Sequence, residues 1–252
     1  MVTESKGSIP EIALEGVSKR FRNASVAVEG ISLTIDRGEF VTFLGPSGCG
    51  KSTLLKLVSG LSPVSAGTVR VNGMTPENAR DLVSFIFQDA TLLPWRTIEH
   101  NVGLGMELEH AAREARKERV ARMLELVGLS HVATHYPRQL SGGMKMRASI
   151  ARALVSRPRI LLMDEPFAAL DEMTRDRLNE ELLRLYAEQK WTVLPNNHVL
   201  RAMPIDKNSA RPAWVTRTSF AVKSAHAADV TAYNWMRGWP KTSIARVAGI
   251  DV

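Results

Sequence analysis

A chain of 252 residues, 44% hydrophobic and 23% charged, has the length for one to two domains and too much apolar content for a disordered protein. Its single cysteine, Cys49, excludes a disulfide framework and a cysteine metal cluster. The net charge of +7 is concentrated at one end: residues 191–252 hold 8 Lys/Arg and 3 Asp, leaving 25 basic and 23 acidic residues in the first 190. An excess so placed, without a dense basic run, argues against a nucleic-acid face. No apolar run reaches ~18 residues, so no membrane span is expected. The first residues lack an apolar stretch of the signal-peptide kind.

In chain order, residues 11–44 read as β-rich, and residues 39–44 (EFVTFL) as a buried strand ending at Gly45. Residues 52–60 place leucines at helical spacing before a glycine. Residues 68–73 alternate and then turn at Asn72-Gly73. Residues 82–88 (LVSFIFQ) form a further strand candidate, residues 106–127 an amphipathic helix, and residues 144–156 a helix stopped near Pro158. Residues 160–163 (ILLM) are a short buried strand, and residues 172–189 a long charged helix ending near Lys190. Strands alternating with helices predict an α/β fold with a mostly parallel sheet. The mainly helical stretch, about 90–157, reads as an insertion into it, and the β-rich start as a separate antiparallel part.

Two motifs carry chemistry. Gly45-Pro46-Ser47-Gly48-Cys49-Gly50-Lys51-Ser52 fits G-x-x-x-x-G-K-[ST] between an apolar strand and a helix, with Thr53 following. Glycines at 45, 48 and 50 let the backbone curl its N–H groups toward phosphate oxygens. The helix start adds dipole and donors, Lys51 reaches the β- and γ-phosphates, and the Ser52 hydroxyl can ligate Mg²⁺. This pattern predicts a P-loop NTPase core that binds a nucleotide. Further on, Asp164 and Glu165 stand at the C-terminal end of the 160–163 strand, where ligands of open α/β sheets bind. Asp164 is placed to hold Mg²⁺ and Glu165 to act as general base on the attacking water.

Between these motifs, Leu140-Ser141-Gly142-Gly143-Met144 precedes a helix. This resembles the signature of the ATP-binding cassette ATPases, with Met144 where a glutamine is usual. The order of phosphate loop, Gln88, signature, Asp164-Glu165 and Ala169-Leu170-Asp171 is similar to theirs over residues 11–194. The run LMDEPFAALD resembles the nitrate/sulfonate/taurine importer branch. The resemblance implies that Phe21 stacks on adenine, the alternative being a core phenylalanine. It implies that Gln88 contacts Mg²⁺ and the attacking water, and that residues 89–95 meet a membrane subunit, unless Pro94 and Trp95 are plain core. Ser141, Gly142 and Gly143 would bind the γ-phosphate held by a second copy of the chain, and Asp171 would cross that interface. The chain would thus be an ATPase energising separate permease subunits. It would sit on the cytoplasmic face of the inner membrane, served by a periplasmic or extracellular solute-binding protein, with nitrate, sulfonate or taurine as solute.

The likeness stops near Leu194. Pro195 removes a ladder donor, although His198 falls close to the switch histidine that the resemblance places beside the γ-phosphate. Residues 191–252 contain no glutamate and four of the five tryptophans. Residues 195–252 read either as a divergent extension or as a tail produced by a frame disruption. The second of these leaves a nucleotide-binding but hydrolysis-deficient subunit as the alternative function.

Overall fold

The structure, a computed structural model, describes residues 9–22, 25–44, 48–168, 170–196 and 220–221. They divide into two compact units: one carries the described parts of 9–81 together with 192–194 and 220–221, the other those of 82–191 with 195–196.

The first unit is built on a three-stranded antiparallel sheet in the order β2-β1-β4, with β1 Ile12–Arg20, β2 Val26–Ile35 and β4 Ala66–Val71. Ile12, Leu14 and Val17 of β1 and Val71 of β4 are buried. After β4 the chain reverses at Asn72 (φ 50°) and Gly73 (φ 76°), and Val71 and Met74 exchange backbone bonds of 2.9 and 3.0 Å. Two left-handed residues in sequence make the tight turn that Asn-Gly forecasts.

The strand expected over 39–44 is looser than the sequence implies. Only Phe43–Leu44 (β3) is regular, pairing in parallel with Phe220–Ala221 (β8). The residues before it bond instead to β7 (Thr192–Pro195): the Val41 N–H donates to the Val193 carbonyl at 2.8 Å, and the Val193 N–H to the Glu39 carbonyl at 2.9 Å. Helix α1 (Lys51–Val58) follows, burying Leu54, Leu55, Leu57 and Val58 as the leucine spacing predicts.

The second unit pairs β5 (Val83–Ile86) in parallel with β6 (Ile160–Met163), whose four residues are all buried. An apolar run without alternation is what a strand covered on both faces requires. Around the pair lie α2 (Ile98–Val102), α3 (Leu104–Leu108), α4 (Arg113–Leu126), α5 (Gly142–Val155) and α6 (Glu172–Gln189). The mixture of an antiparallel sheet, parallel pairs and helices is the α/β architecture expected.

One predicted helix is broken. The pattern over 106–127 forecasts a single helix, but α3 closes at Leu108 and α4 opens at Arg113. His110 takes φ 55°, the Ala111 N–H donates to the Met106 carbonyl at 2.9 Å, and the His110 N–H to Glu107 at 3.1 Å. These are the two bonds of a Schellman cap, with histidine in the left-handed position usually held by glycine. At the end of α4 the same cap uses Gly128 (φ 67°), with Leu129 bonded to Leu124 and Gly128 to Glu125. Helix α5 begins two residues earlier than the expected 144, because Ser141 caps it.

β7 runs through to Pro195, so the missing proline N–H falls on its last residue, and the next donor, the Asn196 N–H, bonds the Met163 carbonyl at 2.8 Å.

Candidate nucleotide site

In the first unit the site is the start of α1. Gly50 is its N-cap at φ 98°, and a Cβ there would run into the Ala27 carbonyl, so only glycine fits. No side chain caps the helix, the arrangement that leaves a helix N-terminus for an anion. Lys51 is the first helical residue and is 4% exposed, its ammonium 3.7 Å from the Cys49 sulfur. Cys49 is a buried free thiol. Ser52 and Thr53 are half-buried on the next positions, and Gly48 (φ 81°) makes the turn before them. Gly45, Pro46 and Ser47 lie outside the described residues.

Phe21 follows the end of β1. Its ring is 47% exposed, with the Lys19 ammonium 5.7 Å from its centroid, so the core reading is set aside. An exposed aromatic face with a cation beside it is suited to a stacking partner.

In the second unit the site is the end of β6. The Asp164 N–H donates to the Ile86 carbonyl at 2.9 Å, which carries Asp164 one step beyond the strand pair. Its side chain is buried and accepts 2.7 Å from the Asn196 amide. Glu165 has φ 50°, a left-handed conformation uncommon for a non-glycine residue. Such strain clusters at functional positions, and it turns the half-buried Glu165 side chain out of the strand direction.

Gln88 is exposed two residues past β5. The chain after it is held from α5: the Arg152 guanidinium donates to the Ala90 carbonyl at 3.2 Å, and to the Thr91 carbonyl and hydroxyl at 2.9 Å each. Burial pushes Arg152 below its usual pKa. Pro94 is exposed and Trp95 is 71% exposed, so neither is core. Their loop is fixed by fully buried Asn101, which accepts from the Leu93 N–H at 2.7 Å and donates to the Leu93, Arg96 and Thr97 carbonyls at 3.0 Å. Arg96 also forms a forked pair with Glu107, at 2.7 and 3.2 Å.

Asn101 and Arg152 belong to no motif, and neither carries a signal in the sequence that marks its role. Replacing Asn101 with leucine, which keeps its shape, strips several buried backbone groups of partners. At ~1–3 kcal/mol for a lost buried partner, we expect about 3 kcal/mol of destabilisation. That is a fall of roughly 6–12 °C in Tm, read by thermal melting. A shift below about 2 °C would refute the anchoring role.

Ser141 is exposed and caps α5, its hydroxyl accepting 3.3 Å from the Met144 N–H, with Gly142 and Gly143 in the first turn. Asp171 likewise caps α6, accepting 3.0 Å from the Thr174 N–H. The Thr174 backbone and hydroxyl, with Arg147 nearby, hold its carboxyl below the usual aspartate range. Each expected contact to a second copy thus sits at a helix start, where free N–H groups and the dipole favour a capping acceptor or an anion. His198 and the rest of the expected tail beyond Asn196, apart from 220–221, lie outside the described residues.

Residues 28–168 match the ABC transporter family. The chain is 41% identical to a bicarbonate transport ATP-binding protein of Synechococcus elongatus, covering 79% of this chain and 73% of that one. It is 38% identical to a nitrate import ATP-binding protein of Synechocystis, covering 78% and 76%. It is 44% identical to a spermidine/putrescine import ATP-binding protein of Thermobifida fusca, but spans only 53% of that protein's length. Among solved structures it resembles a dimeric bacterial ABC transporter cassette at TM-score 0.71 and 33% identity, covering 76% of this chain and 90% of that one. A dimeric cassette in a post-hydrolysis state bound to ADP and phosphate matches at TM-score 0.70 and 33% identity, covering 74% and 88%.

Proposed function

The chain belongs to the ABC transporter family, and from that premise we propose that it binds and hydrolyses ATP to energise uptake of a small solute through separate permease subunits. Nitrate, sulfonate or taurine is the proposed solute class, supported by the nitrate and bicarbonate import proteins among its relatives. The working unit is a dimer on the cytoplasmic face of the membrane, fed by a solute-binding protein. No helix among the described residues is long and apolar enough to cross a membrane, which is consistent with permease subunits being other chains.

The observation that carries this reading is the placement of every described motif at an element end suited to its task. Lys51 and Ser52 open α1, Asp164 and Glu165 leave β6, and Ser141 with the two glycines opens α5. In the proposed site Lys51 and the α1 amides hold the β- and γ-phosphates. Phe21 stacks on adenine. The Ser52 hydroxyl, the Gln88 amide oxygen and the Asp164 carboxylate are hard oxygen donors of the kind Mg²⁺ takes beside substrate phosphates. Bound there, Mg²⁺ would neutralise charge developing on the phosphates. Gln88 orients a water and Glu165 accepts its proton as the water oxygen bonds to the γ-phosphorus and the bond to ADP breaks. Ser141, Gly142 and Gly143 of one copy meet the γ-phosphate held by the other, and Asp171 crosses between them. ATP therefore favours the closed dimer, and its loss reopens it, a population shift that the permease follows.

The purified full chain with Mg-ATP is expected to show saturable nucleotide binding, and phosphate release with kcat on the order of 1 s⁻¹. Binding without phosphate release would establish the hydrolysis-deficient alternative. Absence of binding in an equilibrium titration would overturn both.

A further inference from the structure

We propose that Asn196 is a positioning residue for Asp164, fixing the carboxylate that receives the metal ion. The proposal rests on reading Asp164 as a metal ligand. Asn196 is 1% exposed, directly after β7, whose four residues are all buried, and an apolar side chain would be the less costly occupant there. A buried amide is tolerated when it is hydrogen-bonded. Its Nδ2 donates to Asp164 Oδ1 at 2.7 Å, and its backbone N–H donates to the Met163 carbonyl at 2.8 Å. Asn196 is thereby tied twice to the end of β6, at adjacent residues.

The geometry divides the work. The Asp164 backbone is pinned by its own N–H on the Ile86 carbonyl, at 2.9 Å. That bond leaves the side-chain torsions to be set by side-chain contacts, and the Asn196 amide is a buried donor placed to set them. A carboxylate oxygen has two lone pairs, so accepting one N–H orients the group without exhausting its capacity toward a cation or a metal-bound water. A neutral donor also orients the carboxylate without bringing a second charge that would compete with the metal. Partners of ligating carboxylates act in this way, and their loss costs ~10–100-fold in metal affinity.

The test uses the full chain, with Mn²⁺ as the probe, its binding read by electron paramagnetic resonance in the presence of a non-hydrolysable ATP analogue. Asn196→Leu keeps the shape and the backbone N–H but removes the side-chain donor. We expect Mn²⁺ affinity to fall about tenfold, while affinity for the analogue without metal stays within about twofold. In an Asp164→Asn background the same substitution has no further effect, because the residue acts through that carboxylate. If Asn196→Leu does not fold, Asn196→Ser removes the same reach with a small polar side chain and gives the same loss. Unchanged Mn²⁺ affinity in the folded variant overturns the proposal, as does a loss that persists undiminished with Asp164→Asn. Asp164→Asn alone leaving Mn²⁺ affinity intact overturns instead the reading of Asp164 as a ligand.

Discussion

Replacing Lys51 with alanine weakens ATP binding by roughly 30- to 150-fold, the equivalent of ~2–3 kcal/mol for one charge-assisted bond to phosphate. Lys51 is the first residue of α1 and 4% exposed, so its charge is already held at the helix start, with little side-chain freedom left to lose on binding. Alanine is the best helix former, which keeps α1 intact and confines the loss to the phosphate contact. The lysine stem does fill space, so thermal melting of the variant without nucleotide separates any packing cost from the binding effect. The measurement is an equilibrium titration with a fluorescent ATP analogue. Affinity within about threefold of the unmodified chain would sink the phosphate-loop assignment, whatever the family. The helix amides at Lys51, Ser52 and Thr53 remain in the variant, and they account for residual binding.

What was legible beforehand follows from how local each signal is. The Lys51-Ser52 pair and its glycines announce a strand–loop–helix because the backbone path needs glycine, as Gly50 at φ 98° against the Ala27 carbonyl illustrates. Helix α6 was readable over its full length, since Asp171 offers a cap and the pattern continues to Gln189. The break before α4 was not. It depends on His110 adopting the left-handed position, and a histidine there looks like any helical residue, whereas Gly128 at the matching place marks its helix end. Asn101 and Asn196 were illegible for another reason. Their partners are backbone carbonyls across a short loop and a carboxylate 32 positions away. A single polar residue carries no periodicity and no spacing to reveal such a contact. For Phe21, Pro94 and Trp95 the sequence is compatible with core or contact surface, because composition does not report exposure. The structure leaves all three at the surface. The signature motif implies a partner's phosphate for Ser141 but does not reveal that its hydroxyl caps α5.

Changing Glu165 to glutamine should stop turnover while leaving ATP bound. Glutamine keeps the length and the hydrogen-bonding reach of glutamate but cannot take a proton from water, so the general-base contribution of ~10²–10⁴ in kcat is lost. The backbone at φ 50° is no more costly for glutamine than for glutamate, so the turn after β6 is retained. Binding should hold near the unmodified value or tighten slightly, because the substitution removes one negative charge from the proposed site. With hydrolysis blocked, the ATP-bound closed dimer accumulates instead of reopening. Size-exclusion chromatography in saturating Mg-ATP should then show a dimer peak that disappears with ADP. Phosphate release within about tenfold of the unmodified chain would remove Glu165 from the base role and direct attention to another group near the γ-phosphate. A monomer peak under saturating Mg-ATP, with binding confirmed in the same sample, would count against the sandwich arrangement itself, because no other step in the proposed cycle opens the ATP-bound form.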